Sequence, residues 1–349
     1  MSFTVTLQPS GRNFLCAADT NILRAGLDAG LFLPYSCRSG VCRTCRGTVL
    51  EGKVDFGNVH ATYLPESDRA QGLALLCSAK PLSDLVIQAR EMDMSSAIRA
   101  KFMPCRIFAM QRVAPDVMLI TLSLPMNEPM LYRAGQYVEF VLKDGRRRAY
   151  SIANAPHNEG VRQLELHLRL TPGGAFTEHV FGAMKLREIH RIEMPLGTFF
   201  LREESAKPMV MLASGTGFAP IKAIIEYTLQ KGMTRPITLY WGGRRRADLY
   251  MQALAEQWAA QHPHIRFVPV LSDATPECAW NGRTGFVHRA VMGDFPDLSG
   301  HQVYACGAPV VVESALRDFR NSCGLPEEEF FADSFLTEAD KAGNPHVSQ

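Results

Sequence analysis

The stretch PYSCRSGVCRTC, residues 34–45, decides how the first part of this chain folds. Four residues separate Cys37 from Cys42, two separate Cys42 from Cys45, and a fourth cysteine, Cys77, follows with 31 residues between it and Cys45. Gly40 gives the loop the backbone freedom to turn its N–H groups inward, around inorganic sulfide. The four thiols therefore match the spacing of a plant-type [2Fe–2S] cluster, whose irons need four thiolates.

Two other interpretations of these cysteines stay open. Four unrelated buried thiols would carry no chemistry, and two separated pairs could hold a structural zinc ion. Zinc sites favour two CxxC pairs, whereas this chain has one such pair and an outlying cysteine, so the spacing favours the cluster. The metal ligands that it predicts are Cys37, Cys42, Cys45 and Cys77.

Length and composition limit the class of protein further. The chain has 349 residues, of which 46% are hydrophobic and 21% charged; this indicates two or three ordered domains and excludes a single small module or wholesale disorder. Lysine and arginine number 37 against 35 acidic residues, so no overall positive field favours nucleic acid.

Nine cysteines in a chain too long to need disulfides indicate intracellular thiols or metal ligands. With no secretory pattern and no apolar run near the ~20 residues that cross a bilayer, we expect a cytoplasmic protein without membrane contact.

Changes in hydrophobic pattern divide the chain into three predicted domains. Residues 1–92 begin with a period-2 stretch, a turn at residues 9–11 and a second strand, which predicts a β-hairpin ahead of the cysteine loop. Residues 93–103 show no clear strand pattern and are predicted to be a linker. From 104 to 205, strand-like runs between turns predict an antiparallel β-barrel. From 206 to 349, strands and helices alternate, which predicts a parallel α/β sheet of Rossmann type with a C-terminal tail.

A motif inside the predicted barrel indicates a phosphate-bearing cofactor. Arg148, Ala149, Tyr150 and Ser151 follow a strand and a glycine turn, and 21 residues beyond Ser151 a second glycine turn opens a helix. That turn could present N–H groups to a pyrophosphate, with the hydroxyl of Thr177 as an extra donor. Arg148 could supply a cation and Tyr150 a flat face for a flavin. In isolation, the arginine could be solvated and the tyrosine a core residue. The predicted residues of the second turn are Pro172, Gly173, Gly174, Phe176 and Thr177.

A further glycine motif follows a buried strand in the α/β region. Residues 209–220 read MVMLASGTGFAP, a strand that runs into a glycine turn at the start of a helix, where a dinucleotide phosphate fits. The pattern GxGxxP is not the full dinucleotide fingerprint, and a plain strand-to-helix turn is the alternative. Two later strand ends, at residues 241–244 and at Cys306, should reach the same carboxyl edge of the sheet. The predicted residues are Gly215, Thr216, Gly217, Pro220, Cys306 and Gly307.

Together these motifs resemble the three-domain reductases that supply electrons to bacterial oxygenases. PYSCRSGVCRTC and the downstream LLCSAKPLSDLVI resemble their ferredoxin domain, which implies a β-grasp fold. The barrel and α/β motifs resemble the ferredoxin–NAD(P)H reductase superfamily, which implies FAD and NAD(P)H. Arg43 departs from the family, in which a small residue such as glycine is expected. With Arg38 and Arg46, it is predicted to help dock an acidic partner surface.

The resemblance also implies roles for single residues at the flavin and the nicotinamide. Ser151 would hydrogen-bond near the flavin N5, and Cys306 would lie near the nicotinamide C4. Phe335 resembles the C-terminal aromatic residue that covers the flavin in this family, and Asp333 would be a nearby acid. The catalytic residues implied are therefore Ser151, Cys306 and Asp333.

For the rest of the nucleotide, the resemblance assigns the pyrophosphate to residues 215–217. Arg244 and Asp248 would border the adenosine ribose. The arginine run at residues 244–246 could contact a 2′-phosphate or be solvated. NADH is the expected donor, with NADPH as the alternative.

The three cofactors fit one another chemically. NADH gives up two electrons as a hydride and a [2Fe–2S] cluster accepts one electron at a time, so a flavin with three redox states can stand between them. The expected path runs from NADH through FAD and the cluster to an external acceptor. The resemblance implies that this acceptor is the oxygenase component, of Rieske non-haem iron type, of an aromatic-degrading system, and that the chain is a monomer. CDP-6-deoxy-3,4-glucoseen reductase of deoxysugar synthesis has the same domain order and stays open as an alternative, as does a redox sensor without turnover.

Overall fold

The computed structural model of this protein describes residues 1–92 and 98–335. These two ranges correspond to two structural units, and each is described by itself. Within them, no helix is both long enough and apolar enough to span a lipid bilayer.

Residues 1–92 form the β-grasp unit that carries the cysteine loop. Its elements are β1 (Ser2–Gln8), β2 (Asn13–Ala17), α1 (Ile22–Asp28), β3 (Arg46–Glu51), β4 (Val54–Asp55), α2 (Glu66–Ala70), β5 (Leu73–Leu75), β6 (Lys80–Pro81) and β7 (Leu85–Gln88). The predicted hairpin is confirmed: β1 pairs antiparallel with β2, and the period-2 side chains of Val5 and Leu7 are fully buried. The main sheet has the order β2-β1-β7-β3-β5, in which β1 runs parallel to β7. The end of β5 thus brings the segment with Cys77 beside the loop that precedes β3.

The second unit begins with the antiparallel barrel that the sequence predicts. Its elements are β8 (Lys101–Ala114), β9 (Val117–Ser123), β10 (Tyr137–Val141), β11 (Arg147–Ser151), β12 (Gln163–Arg169), α3 (Ala175–Gly182) and β13 (Ile189–Leu196). The strands follow the order β11-β10-β13-β8-β9-β12, and all the pairings are antiparallel. A bridge between Ile152 and Leu166 joins the two edge strands. The closed sheet leaves the end of β11, with Ser151, against β12.

The predicted linker, residues 93–103, differs from the structure at its C-terminal end. Residues 93–97 lie outside the described residues, but β8 begins at Lys101, so residues 101–103 belong to the barrel. Met103 pairs with Ile192 and is 4% exposed. A single buried residue between exposed neighbours is too short an alternation to predict a strand. The pairing that makes these residues a strand comes from a segment almost ninety residues away, which the local pattern does not reveal.

The rest of the second unit is the predicted parallel α/β sheet. Its elements are β14 (Met209–Ser214), α4 (Phe218–Gln230), β15 (Ile237–Gly243), α5 (Gln252–Gln261), β16 (Ile265–Leu271), β17 (Arg283–Thr284), α6 (Val287–Asp294), β18 (Gln302–Gly307), α7 (Pro309–Cys323) and β19 (Phe330–Ser334). The order is β17-β16-β15-β14-β18-β19, with every neighbouring pair parallel. The order reverses between β14 and β18, which is where open α/β sheets bind ligands at their carboxyl ends. The predicted tail after Phe335 lies outside the described residues.

Two glycines lock the strand ends together at this reversal. A Cβ at Gly217 would lie 2.1 Å from the carbonyl oxygen of Cys306. A Cβ at Gly307, whose φ is +143°, would lie 2.6 Å from the carbonyl oxygen of Ser214. Backbone therefore packs directly on backbone between the β14 turn and the end of β18, and a side chain at either position would separate them.

This contact predicts the effect of a single methyl group. Gly217→Ala should lower the free energy of unfolding of the second unit by about 2 kcal/mol, because the turn or β18 must move. Urea unfolding followed by tryptophan fluorescence measures this, since Trp241, Trp258 and Trp280 all lie in this unit. Gly293→Ala is the control, because no atom lies within 4 Å of its Cβ position in α6; it should stay within about 1 kcal/mol of wild type. Equal stability of the two variants would contradict the prediction.

Candidate functional site

The four predicted thiols of the first unit lie together as two pairs. Cys42 shares a hydrogen bond with Cys37, and Cys45 shares one with Cys77. Charge on Cys37, Cys42 or Cys77 also acts on Cys45, so the pairs are neighbours. In the part of the chain that the structure describes, no three His, Cys, Asp or Glu side chains are grouped so that they could hold one metal ion. Two sulfur ligands per metal ion is the donor arrangement of a [2Fe–2S] cluster, and the four thiols fit it.

Hydrogen bonds within each pair prepare one sulfur for the thiolate form. The bond from Cys42 outweighs the effect of burial and lowers the pKa of Cys37 to about 6, while the same bond raises the pKa of Cys42. The bond with Cys45 likewise lowers the pKa of Cys77. Because metal ligands must be deprotonated, half of the predicted ligand set is already biased toward the binding form.

Backbone N–H groups of the loop point at the sulfur atoms. The N–H groups of Ser39 and Cys42 donate to Cys37 Sγ at 3.4 Å each, and the N–H of Cys37 donates to Cys42 Sγ at 3.5 Å. The loop turns at Gly40, whose φ is +77° and whose Cβ position is 3.0 Å from Ser78 Oγ. Such donors stabilise negative charge on sulfur, which is the charge that a cluster with four thiolates carries.

Arg43 occupies a backbone conformation that suits glycine. Its φ is +61°, in the left-handed region that a Cβ disfavours. Its guanidinium pairs with Asp68 at 2.7 Å, and both side chains are only about one-fifth exposed. The backbone explains why a small residue is expected here. The ion pair compensates part of the positive charge that was predicted to dock a partner, and that role of Arg38, Arg43 and Arg46 stays a prediction.

Two substitutions separate the backbone effect from the ion pair. Arg43→Gly and Arg43→Ala both remove the contact with Asp68, but only glycine relieves the positive φ. The first unit should therefore be more stable with glycine than with alanine by about 1 kcal/mol. The midpoint of urea-induced loss of the visible absorbance of the cluster measures the difference. An alanine variant as stable as the glycine variant would show that this φ costs nothing.

The predicted flavin motif ends in an unpaired buried hydroxyl. Ser151 is the last residue of β11 and is 4% exposed, and among the described residues its Oγ has no hydrogen-bond partner. A buried polar group of this kind is normally satisfied by a ligand or water. The site thus fits a cofactor that offers a hydrogen-bonding atom at the end of β11.

Tyr150 lies in an aromatic cluster beside this hydroxyl. Its ring centroid is 6.0 Å from that of Phe140 and 5.7 Å from that of Phe176, and burial raises its pKa above the ordinary value. Arg148 donates from Nη1 to the carbonyl oxygen of Arg147 at 2.8 Å. The predicted core interpretation of Tyr150 and the predicted flavin contact are compatible, because one ring face can pack on Phe176 while its edge or other face meets a ligand.

The second glycine turn lies where the sequence predicts it, at the start of α3. Gly173 has a φ of +74°, and its N–H donates to Glu178 Oε1 at 2.8 Å. Thr177 bonds within the turn: the carbonyl oxygens of Thr171 and Gly174 share its single hydroxyl proton, and its oxygen accepts the N–H of Thr171 at 3.1 Å. These bonds occupy the hydroxyl that is predicted as an extra donor, and the first-turn N–H groups of α3 are the donors that helix geometry leaves for an anion.

At the carboxyl edge of the parallel sheet, the predicted nucleotide residues come together. The turn Gly215–Gly217 leads directly into α4, and the indole of Trp241 donates to the carbonyl oxygen of Gly215 at 3.0 Å. Thr216 lies between the two glycines, and Pro220 lies in the first turn of α4, where its missing N–H costs no helical bond. This edge offers the strand-to-helix turn that a dinucleotide phosphate requires.

Cys306, Asp333 and Phe335 lie at neighbouring strand ends. Cys306 pairs in register with Asp333, both are buried, and burial raises the pKa of the Cys306 thiol with a further contribution from the Asp333 charge. The N–H of Phe335 donates to the carbonyl oxygen of Gly307 at 3.0 Å. The structure therefore brings these three residues together, although they come from segments almost thirty residues apart; their roles at the flavin and nicotinamide stay predictions.

Arg244 and Asp248, which are predicted to border the ribose, lie in and after the loop that follows β15. Asp248 accepts the backbone N–H of Arg244 at 2.8 Å and that of Arg245 at 3.0 Å, and its other oxygen accepts from Arg169 at 2.9 Å. Asp248 therefore fixes the loop after β15, whereas the side chain of Arg244 is exposed.

Sequence reasoning missed Arg169, the last residue of β12. Its guanidinium lies 3.5 Å from the Cβ position of Gly215, which puts a cation beside the turn that is predicted to hold pyrophosphate. The only signal in the sequence is a basic residue at the end of a strand, and that signal is too common to single it out.

Comparisons with known proteins follow the same three-part division. Three family models match: a 2Fe-2S iron-sulfur cluster binding domain over residues 5–82, an oxidoreductase FAD-binding domain over residues 104–201, and an oxidoreductase NAD-binding domain over residues 211–317. The CDP-6-deoxy-L-threo-D-glycero-4-hexulose-3-dehydrase reductase of Yersinia pseudotuberculosis is 40% identical over 96% of this chain and 99% of its own. The reductase component of phenol 2-monooxygenase from a Pseudomonas species is 35% identical over 98% and 97%. The crystal structure of the Amycolatopsis cytochrome P450 reductase GcoB is similar with a TM-score of 0.75, 34% identity and 95% and 98% coverage.

Proposed function

Since this chain belongs to the family of NAD(P)H-dependent reductases that join a [2Fe–2S] ferredoxin domain to FAD- and NAD-binding domains, we propose that it reduces the oxygenase component of a multicomponent aromatic oxygenase. The observation that carries this proposal is the two-plus-two thiol site in the same chain as the two nucleotide domains. A relative of nearly equal length serves phenol 2-monooxygenase, which supports an oxygenase as acceptor. A Rieske non-haem iron partner is proposed from the sequence resemblance alone.

Each group of residues has a defined task in this function. When bound, FAD converts the hydride of the nicotinamide into electrons that leave singly for the cluster. The turn Gly215–Gly217 binds the nucleotide phosphates, and the hydroxyl of Ser151 hydrogen-bonds to the flavin. Cys306, which is buried, and Phe335, which is partly buried, keep water from the place where nicotinamide and flavin meet. Proton transfer by a general base is not needed for these steps.

We propose NADH as the donor and the cytoplasm as the location. Asp248 pairs with Arg169 at 2.9 Å and Asp273 with Arg245 at 3.2 Å, so two carboxylates offset part of the positive charge with which the arginine run could hold a 2′-phosphate. The ratio of kcat/KM for NADH to that for NADPH tests this, and a ratio below one would contradict it.

All nine cysteines are free, as is usual in a reducing compartment. A monomer is proposed from the resemblance and is measured by light scattering.

Loss of one cluster ligand should separate the two halves of the reaction. In Cys77→Ser, NADH-dependent reduction of cytochrome c should fall by an order of magnitude or more, because the cluster is lost or altered. Ferricyanide reduction and FAD content should persist, because ferricyanide is small enough to take electrons from the flavin directly. Cys278→Ser is the control, since the hydroxyl can keep the bond that Cys278 Sγ makes to the carbonyl oxygen of Thr275. Unchanged cytochrome c reduction in Cys77→Ser would contradict the proposed path.

Similarity to a deoxysugar reductase favours a second function. The Yersinia relative, at 40% identity, is a reductase of a CDP-deoxysugar dehydrase, and it is more similar to this chain than the phenol monooxygenase component at 35%. The chain would then deliver electrons to a dehydrase acting on a nucleotide-linked hexose.

The acceptor distinguishes the two functions. We expect product formation when the purified chain and NADH are combined with an oxygenase component and its aromatic substrate, and none with a dehydrase and its CDP-sugar. Turnover with the dehydrase alone would replace the oxygenase proposal by the second one. Omission of NADH is the control in both arms.

A further inference from the structure

A lysine on α4 is buried where the barrel meets the parallel sheet. The side chain of Lys222 is 6% exposed, and its Nζ has three partners: Glu165 at 3.1 Å, Glu226 at 2.9 Å and the carbonyl oxygen of Ala153 at 3.2 Å. All three ammonium donors are therefore satisfied. An isolated buried charge is costly, so these partners are what allow lysine to be here.

The partners of Lys222 belong to the flavin side of the unit. Ala153 lies two residues after Ser151, and its N–H donates to the carbonyl oxygen of Glu165 on β12 at 2.8 Å. Lys222 itself lies five residues after Gly217, in the helix that opens at the nucleotide turn. One ammonium group thus joins the segment after the predicted flavin serine to the helix of the predicted nicotinamide motif.

A second route connects the same two places. His167 bonds to Glu165 through Nε2 at 2.9 Å and to the hydroxyl of Tyr250 through Nδ1 at 2.8 Å. The ring of Tyr250 packs edge-on against Trp241, with centroids 5.2 Å apart, and the Trp241 indole donates to the carbonyl oxygen of Gly215. The route that begins at Glu165 therefore ends at the glycine turn.

Burial and hydrogen bonds set the charge states of Glu165 and His167 in this network. Burial opposes ionisation of Glu165, but the hydrogen bond with His167 and the charge of Lys222 outweigh it and lower the pKa of Glu165 to about 2. Burial lowers the pKa of His167, so the neutral ring can donate from Nε2 to Glu165 and accept the Tyr250 hydroxyl at Nδ1. Burial raises the pKa of Glu226. Lys222 and Glu165 form the ionised pair at the centre.

We propose that Lys222, with Glu165, His167 and Tyr250, is a positioning device that sets the distance between the nicotinamide and the flavin. This proposal rests on the proposed function. Hydride transfer requires the reacting atoms at about 3–3.5 Å, and a displacement of about 1 Å can lower the rate by about a hundredfold. One route runs from the segment after Ser151 through the Lys222 ammonium into α4, and the other from Glu165 through His167, Tyr250 and the Tyr250–Trp241 ring contact to Gly215. A change in the separation would have to break contacts on both routes.

Stopped-flow reduction of the bound flavin tests the proposal in the full, cofactor-loaded chain. The variants are Lys222→Met, which removes the charge, and Tyr250→Phe, which removes only the hydroxyl of the second route. The control is Lys231→Met, the same substitution at an exposed lysine directly after α4. NADH and NADH carrying deuterium at the transferred position are compared, and both the rate constant and the amplitude of flavin reduction are recorded.

For Lys222→Met we expect the limiting rate constant to fall by about tenfold to a hundredfold. The deuterium isotope effect should be fully expressed, and the NADH concentration that gives half the limiting rate should change little. Tyr250→Phe should show a smaller fall and the control none. A merely structural role would lower the amplitude, through lost FAD, and leave the rate constant unchanged; that result overturns the proposal. If Lys222→Met does not retain FAD, a wild-type rate constant in Tyr250→Phe overturns it. Failure of the wild-type chain to reduce its flavin with NADH would overturn the proposed function itself, and the positioning proposal with it.

Discussion

The contact between Gly217 and the carbonyl oxygen of Cys306 is the constraint on which the second unit depends. Because no Cβ fits between them, the turn after β14 lies directly on the end of β18. Gly307 repeats the arrangement from the other side, against Ser214. The two strands meet where the sheet order reverses, so this backbone contact fixes both the mouth of the nucleotide site and the direction in which α4 leaves it.

The direction of α4 then decides which side chains meet the barrel. A helix that starts at the glycine turn carries Lys222 to the segment just after Ser151. The same geometry brings the orphaned Ser151 hydroxyl and the buried Cys306 into one unit, although each belongs to a different sheet. Among the described residues, the side chains of Lys222, Glu165, His167 and Tyr250 bond to one another, whereas the Oγ of Ser151 has no partner. An unpaired buried group is expected where a ligand supplies the missing partner.

Prediction from sequence is most specific where residue types recur at a characteristic spacing. The cysteine spacing predicts the ligand set because the loop from Cys37 to Cys45 must wrap a small object, and Gly40 supplies the turn. The prediction is less complete where a side chain has more than one available hydrogen-bond partner. Thr177 bonds within its own turn rather than standing free, and Asp248 fastens a loop and Arg169. The partners of Thr177 are local, whereas the contact of Asp248 with Arg169, 79 residues away along the chain, is one that local sequence does not encode.

The amino-acid sequence alone predicts the three-part division, the thiol set and the two glycine turns, because each depends on residue types at fixed spacings or on a periodic pattern along the chain. Three features emerge from the folded chain instead: β8 begins inside the predicted linker, Arg43 pairs with Asp68, and Lys222 joins the flavin segment to α4. These features need partners 25 to 90 residues away along the chain. Their positions follow from strand order and helix direction, which are set by packing rather than by any local pattern.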